Sequence, residues 1–188
     1  MTILILLNPV IRTFLILCCF LCIQQDESVM SWNESYKLTW SDFKGPPNKN
    51  TSAVAVTASG ITFGFSVSKT DDRVVGYTSE VHAHFYPEKS WYKKDEADLH
   101  VLGHEQLHFN ITELHARKFR QRIDQVKVSN SVRSQLKQLH NTINKELSQM
   151  QNTYDSETNY SRNVEAQAKW EAYIAVELKK LSKYKSVD

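Results

Sequence analysis

The sequence predicts a single α+β domain in which N-terminal antiparallel strands precede a set of amphipathic helices. Between residues 51 and 86, apolar and polar residues alternate over several stretches, which is typical of half-buried strands. After residue 95, apolar residues recur every three or four positions, which is typical of helices. Strands followed by helices, rather than interleaved with them, indicate an α+β domain.

Length and composition agree with one folded domain. The chain has 188 residues, of which 41% are apolar, so it can bury a core but is short for two domains. It carries 23 Lys and Arg residues against 21 Asp and Glu residues, which leaves a net charge of +2. A dedicated nucleic-acid-binding protein usually has a strong basic excess, so we expect no nucleic-acid partner.

The first 25 residues differ in character from the rest of the chain. An apolar run at residues 14–23 follows Arg12 and is shorter than the ~20 residues that a membrane-spanning helix needs. We interpret residues 1–25 as a signal peptide or an uncleaved N-terminal anchor, and residues 26–188 as the single domain. The protein is therefore expected to be secreted or periplasmic, and to touch a membrane only through this N-terminal segment.

All the cysteines lie in this N-terminal segment, at Cys18, Cys19 and Cys22. The domain itself therefore has no disulfide bond, no thiolate zinc site and no cysteine nucleophile.

The strands are predicted in the first half of the domain. A short stretch at residues 38–40 leads to the chain break Gly45-Pro46-Pro47, and a second stretch follows at residues 51–59. Residues 61–67 place four apolar side chains on one face, and residues 69–73 form a polar turn. The strand predicted at residues 77–86 is a candidate to align an extended peptide along its edge.

Three helices are predicted in the second half. Residues 95–123 carry apolar side chains on more than one face, as a central helix does. A second helix begins near Ser131 and has an apolar stripe that ends at Met150. The polar stretch at residues 151–163 is expected to interrupt the helices, and a third follows with Trp170, Ile174, Leu178 and Leu181 in register.

A metal-binding motif lies inside the first predicted helix, where residues 104–108 read His-Glu-Gln-Leu-His. Residues four apart lie on one face of a helix, so His104 and His108 can reach the same metal ion. Neutral imidazoles suit Zn²⁺, and Glu105 beside the metal can act as a general base and acid. The apolar residues around the motif indicate that it lies at the edge of the core.

A catalytic zinc ion normally has a third protein ligand. Asp155 and Glu157, in the polar stretch before the last helix, are the candidate oxygen ligands, although either could instead cap that helix. Glu113 is expected to be a surface carboxylate, His140 a surface residue, and His100 a possible partner of a ligand. His82 and His84 share one face of a strand and could form a cleft wall or simply face solvent.

Four segments of the sequence resemble the bacterial family of exported proteins known as domain of unknown function 922, which is described as predicted secreted zinc-dependent proteases. The resemblance covers about residues 38–174, nearly all of the domain. The matching residues are Leu38-Thr-Trp-Ser-Asp-Phe-Lys-Gly-Pro-Pro47, the segment 81–91 ending in Ser90-Trp91, Gly103-His-Glu-Gln-Leu-His-Phe-Asn-Ile111 with Ala116-Arg117, and Tyr154-Asp-Ser-Glu-Thr158 with Gln167 and Trp170.

The resemblance implies a zincin-like domain with a zinc site, and one departure from the family bears on its third ligand. The family usually has a histidine two residues after the threonine of the last segment, where this chain has Tyr160. We assign the third ligand to Glu157, with Asp155 and the Tyr160 phenolate as alternatives. As a neutral phenol, Tyr160 could instead polarise a substrate carbonyl.

These observations together predict a secreted zinc-dependent metallohydrolase, most simply a peptidase, with Glu105 as general base. Its substrate would be a peptide, a protein or a cell-wall amide. The alternative is a catalytically inactive, metalloprotease-like binding or structural domain of the cell envelope.

Overall fold

The structure, a computed structural model, describes residues 28–186 of the chain, so the predicted signal peptide or anchor at residues 1–25 lies outside the described residues. The described part has five strands and three α-helices. The strands are β1 (Met30–Ser31), β2 (Ala55–Val56), β3 (Ser59–Thr70), β4 (Arg73–Phe85) and β5 (Trp91–Tyr92), and the helices are α1 (Leu99–Asp124), α2 (Val132–Glu157) and α3 (Val164–Lys180).

The strands form two small antiparallel sheets. The first has the order β1-β4-β3, and the second pairs β2 with β5. A tight turn joins β3 to β4, and both of its central residues, Asp71 and Asp72, adopt positive φ angles. Such a turn matches the right-handed twist of the strands that it connects. The prediction of an α+β domain with antiparallel strands before the helices is confirmed.

Helix α1 lies at the centre of the domain, as its apolar pattern predicts. One of its faces packs through Phe109 and Phe119 against α2 and against the long hairpin formed by β3 and β4. Another face packs through Ile111 and Leu114 against α2 and α3. All four side chains are buried, so α1 is the element on which both halves of the core rest. Among the described residues, no helix is both long enough and apolar enough to span a membrane.

Helix α2 is longer than the sequence pattern indicates. The polar stretch predicted to break the helices from residue 151 is helical as far as Glu157, and the connection to α3 is only residues 158–163. The reason is that the apolar stripe continues, four residues beyond Met150, with the fully buried Tyr154. Its polar neighbours lie on the other faces of the same helix.

Glu113 is fully buried, and the prediction that it is a surface carboxylate is wrong. Its Oε1 accepts a hydrogen bond from Arg117 Nε at 2.8 Å, and its Oε2 accepts one from Ser186 Oγ at 2.8 Å. Arg120 lies 3.5 Å from the same carboxylate and donates to Tyr184 O at 2.7 Å. This buried ion cluster ties the end of the described chain to the middle of α1.

The other histidines singled out in the sequence also receive definite places. His140 is partly buried between the rings of Phe63 and Phe119, at centroid distances of 5.2 and 5.8 Å, so the expectation of a surface residue is wrong. His82 and His84 stack on each other on one face of the hairpin, with ring centroids 5.6 Å apart.

Candidate metal centre

Two histidines on α1 supply the first half of the site. Asp98 caps the helix by accepting a hydrogen bond from the backbone N–H of Val101 at 2.8 Å, which fixes where the helix begins. His104 and His108 then lie one turn apart on the same face. Their Nε2 atoms are 3.2 Å from each other.

A carboxylate from α2 completes the cluster. Oδ1 of Asp155 lies 3.1 Å from Nε2 of His104 and 2.8 Å from Nε2 of His108. The three atoms therefore form a small triangle, and these residues are the one His/Asp/Glu group in residues 28–186 that could hold a metal ion. Ligand atoms ~2.0–2.1 Å from a tetrahedral zinc ion lie roughly 3.3 Å apart, so the triangle has nearly the size that this ion needs.

These same contacts shift the pKa values of Asp155 and His108. Burial opposes ionisation of Asp155, but hydrogen bonds from the two imidazoles outweigh it and hold the pKa of the carboxyl well below its usual range. Burial likewise opposes protonation of His108, but Asp155 and the charge of Glu105 outweigh it and raise the pKa of this imidazole. The negative charges of Asp155 and Glu105 thus favour a cation at this site.

Two further residues of α2 orient the histidines. Gln151 Oε1 is hydrogen-bonded to Nδ1 of His108, and its Nε2 donates to the backbone carbonyl of the same residue at 3.1 Å. With the proton on Nδ1, Nε2 of His108 is left as a lone-pair donor toward the cluster. The Tyr154 ring stacks on His104 at a centroid distance of 4.4 Å, and burial raises the pKa of this tyrosine well above its ordinary value.

His104 depends on packing more than on hydrogen bonding. Its Nδ1 atom is buried and has no hydrogen-bond partner in the described part of the chain. The stacked Tyr154 ring and the surrounding helices therefore set the orientation of this imidazole.

Glu105 lies beside the cluster without belonging to it. Only 5% of its surface is exposed, yet its side chain borders the same cleft as the two histidines. Its carboxylate accepts no hydrogen bond from residues 28–186, whereas its backbone carbonyl accepts one from Thr57 Oγ1 at 3.2 Å. A carboxylate without a protein partner beside a cation site is available to take a proton from water.

The site opens into a cleft with a volume of about 380 Å³. Its floor is formed by His104, Glu105, His108 and Asp155. One wall is the extended segment 51–57, which includes β2, and the other includes residues 160–162 of the α2–α3 connection. Residues of β4 do not line this cleft. Strand β3 pairs along one edge of β4, and β1 pairs with the end of its other edge. The expectation that the edge of β4 aligns a peptide there is therefore wrong.

One residue of the β2 wall has its backbone directed away from its partner strand. Ala55 lies opposite Tyr92 in the pair of strands, and the next pair along is Val54 and Lys93. The Lys93 N–H donates to Val54 O at 2.8 Å. Because hydrogen-bonded and non-hydrogen-bonded pairs alternate along antiparallel strands, Ala55 and Tyr92 are a pair without mutual hydrogen bonds. The N–H and C=O groups of Ala55 consequently face away from β5, and Ala55 is one of the residues that line the cleft.

The opposite wall has an unusual backbone. Asn159, Tyr160 and Ser161 are three consecutive residues with positive φ angles of 48°, 52° and 71°. Such conformations are costly for residues other than glycine and persist where surrounding contacts impose them. Here the Tyr160 N–H donates to Asp155 O at 2.8 Å, and Nε2 of His100 lies 2.7 Å from Ser161 O. The expectation that His100 contacts a metal ligand is wrong, because its imidazole contacts the α2–α3 connection instead.

The structure brings together three of the candidate ligands singled out in the sequence and leaves one out. His104, His108 and the alternative ligand Asp155 converge on one point, and Glu105 and the exposed Tyr160 line the same cleft. Glu157, to which the sequence assigned the third ligand, instead accepts a hydrogen bond from Trp170 Nε1 at 2.8 Å. Sequence reasoning missed Gln151, although its position four residues before Asp155 places it on the same helix face.

The donor set fits a transition-metal ion. Two imidazole nitrogens and one carboxylate oxygen are ligands of catalytic zinc sites, and the same set also binds iron(II) in oxygenases. The carboxylate of Glu105 lines the same cleft and is not one of these three ligands.

By fold and site, this protein is an α+β domain with a candidate metal centre between its two longest helices. The chain belongs to the family described as bacterial protein of unknown function (DUF922), whose model matches residues 39–163. That range begins before β2 and ends at the cap of α3, so it contains the three candidate ligands and both cleft walls. Neither the search of curated proteins nor the search of solved structures finds a match.

Proposed function

We propose that this protein is a zinc-dependent metallohydrolase that cleaves peptide bonds. The observation that carries the proposal is the convergence of two imidazole nitrogens and the Asp155 carboxylate within 3.2 Å of one another, beside the unengaged Glu105. His104, His108 and Asp155 would hold the ion. A bound zinc ion supplies Lewis acidity, which lowers the pKa of water and polarises a carbonyl.

The remaining chemistry belongs to the side chains of this chain. Glu105 accepts the proton that water releases as it attacks the carbonyl carbon, and then delivers that proton to the leaving amine. Tyr160, which lines the same cleft, would donate a hydrogen bond to the oxygen that becomes negatively charged. Gln151 and Tyr154 keep the two imidazoles in the orientation that ligation needs.

A peptide is favoured as substrate by the wall opposite Tyr160. The outward-facing N–H and C=O groups of Ala55 offer the hydrogen bonds that one residue of an extended chain requires, as a sheet edge does. A protein segment or a cell-wall peptide has the same backbone groups. The apolar run at residues 14–23 supports export, so the substrate is proposed to lie outside the cytoplasm.

The first test is elemental mass spectrometry of purified protein, with the His108→Ala variant beside it. We expect about one zinc ion per chain in the parent and little in the variant. Iron in place of zinc would overturn the hydrolase assignment. A folded protein that takes up neither metal would instead favour the binding-domain alternative.

The second test separates catalysis from metal binding. Glu105 is not a ligand, so Glu105→Gln is expected to retain zinc while its peptidase activity falls by at least 10²-fold, the size of a general acid–base contribution. Equal activity in the parent and in this variant, on any substrate that the parent cleaves, would contradict the proposed mechanism.

A further inference from the structure

A second, smaller cavity of about 320 Å³ also borders the candidate metal centre. It shares three lining residues with the first cavity, namely Thr57, His108 and Asp155. Two of these are candidate metal ligands, so both cavities border the candidate metal centre. Open space therefore lies on two sides of these ligands.

The second cavity is lined by α2 on one side and by the start of β3 on the other. Ser148 and Asn144 of α2 and Ser59 of β3 contribute hydroxyl and amide groups. Among the described residues that line it, Asp155 is the only carboxylate, and there is no lysine or arginine. Because Asp155 is engaged with the two imidazoles, this cavity has no charged group left to bind a chain terminus.

The charged groups in the two cavities determine which part of a substrate chain can bind there. An enzyme that removes residues from a chain end must neutralise the free ammonium or carboxylate group of that end, which is costly to bury without a charged partner. A neutral cavity lined with hydroxyl and amide groups accepts the interior of a chain more readily than its end. Outside the cluster, the first cavity has two charged groups: Glu105, which is proposed to act on water, and Arg162, which is exposed and makes only a 3.3 Å hydrogen bond to Asn159 O.

We propose that the enzyme is an endopeptidase, with a chain that runs through both cavities and is cut at the metal centre that both border. This inference rests on the proposed function and adds to it the class of substrate: an extended polypeptide bound by its interior, with no free terminus required. The β2 wall binds the backbone on one side of the cut, and the pocket of Ser148 and Asn144 receives the other side.

The test uses one mixture of ten-residue peptides of varied sequence, prepared in four forms: both ends free, the N-terminus acetylated, the C-terminus amidated, and both ends blocked. Mass spectrometry of the products locates the cut. We expect the doubly blocked peptides to be cut at internal bonds at rates within about threefold of the free peptides, and zinc-loaded Glu105→Gln to cut all of them at least 10²-fold more slowly than the parent.

The outcomes separate the two proposals. Loss of cleavage when only the C-terminus is amidated would identify a carboxypeptidase that uses Arg162, and it would overturn the endopeptidase while leaving the metallohydrolase intact. Loss on N-terminal acetylation would overturn it in the same way. No cleavage of any form by the zinc-loaded parent would overturn both.

A matched pair of variants tests the second cavity directly. Ser148→Trp would fill it from an exposed position of α2, and Gln149→Trp adds the same bulk at the next exposed residue, which does not line the cavity. We expect Ser148→Trp to lower kcat/KM for the doubly blocked peptides at least tenfold with zinc content unchanged, and Gln149→Trp to leave it unchanged. Equal rates in the two variants would show that substrate does not occupy this cavity and would overturn the proposal.

Discussion

At the scale of single residues, the two candidates for the third ligand, Asp155 and Glu157, lie only two positions apart on α2. Two residues of an α-helix separated by one other point about 200° apart, so Asp155 and Glu157 cannot face the same neighbour. Asp155 faces α1 and its histidines, and Glu157 faces the indole of Trp170 on α3. The sequence alone leaves both Asp155 and Glu157 as candidate ligands, because it does not show that α2 extends to Glu157.

This difference predicts how two variants will bind metal. Asp155→Asn removes a charged ligand from the cluster and is expected to weaken zinc affinity at least 100-fold, whereas Glu157→Gln is expected to change it by less than threefold. Competition with a chromophoric zinc chelator measures both affinities. If Glu157→Gln lost zinc and Asp155→Asn retained it, the site described above would be wrong.

The part of the site that the sequence does predict is the part that is local. His104, Glu105 and His108 are fixed relative to one another by the geometry of one helix turn, so their arrangement follows from spacing alone. Asp155 and Gln151 reach the site only because α2 packs antiparallel against α1, more than 40 residues later in the chain. Contacts of that kind depend on tertiary packing, which no spacing rule encodes.

At the scale of elements, the α2–α3 connection is short and is held by contacts at several points. Tyr160 N–H and Asn163 N–H donate to carbonyls of residues 155 and 158, each at 2.8 Å, and His100 holds Ser161 O from α1. The sequence has no glycine here, so the three left-handed residues could not be predicted from composition. The connection takes this shape because both helices are already packed on α1.

The His100 contact can be tested by its effect on backbone motion. His100→Phe keeps the ring but removes the N–H donor, so we expect the amide of Tyr160 to exchange with deuterium roughly fivefold faster, the effect of losing about 1 kcal/mol. His100→Gln supplies an N–H in its place and is expected to restore slow exchange. Faster exchange of equal size in both variants would show that the ring, and not its hydrogen bond, holds the connection.

At the scale of the whole molecule, the segregation of strand and helix patterns was enough to predict the class of fold. The long hairpin and the central helix follow from periods of two and of three to four residues, which report burial directly. The buried charges do not follow from these patterns. Glu113 and Arg117 have the residue types of a helix surface, and only the segment around Ser186 that folds over them makes them interior.

The buried ion cluster leads to a prediction about global stability. Glu113→Gln would leave Arg117, which is 3% exposed, without its charged partner, and removal of one member of a buried ion pair costs about 3–5 kcal/mol. Glu146→Gln is the matched control, because Glu146 pairs with Arg122 at 2.8 Å but both side chains are about one third exposed, and such pairs contribute ~1 kcal/mol or less. Urea unfolding followed by circular dichroism gives both free energies of unfolding. Similar losses in the two variants would mean that Glu113 does not balance a buried charge.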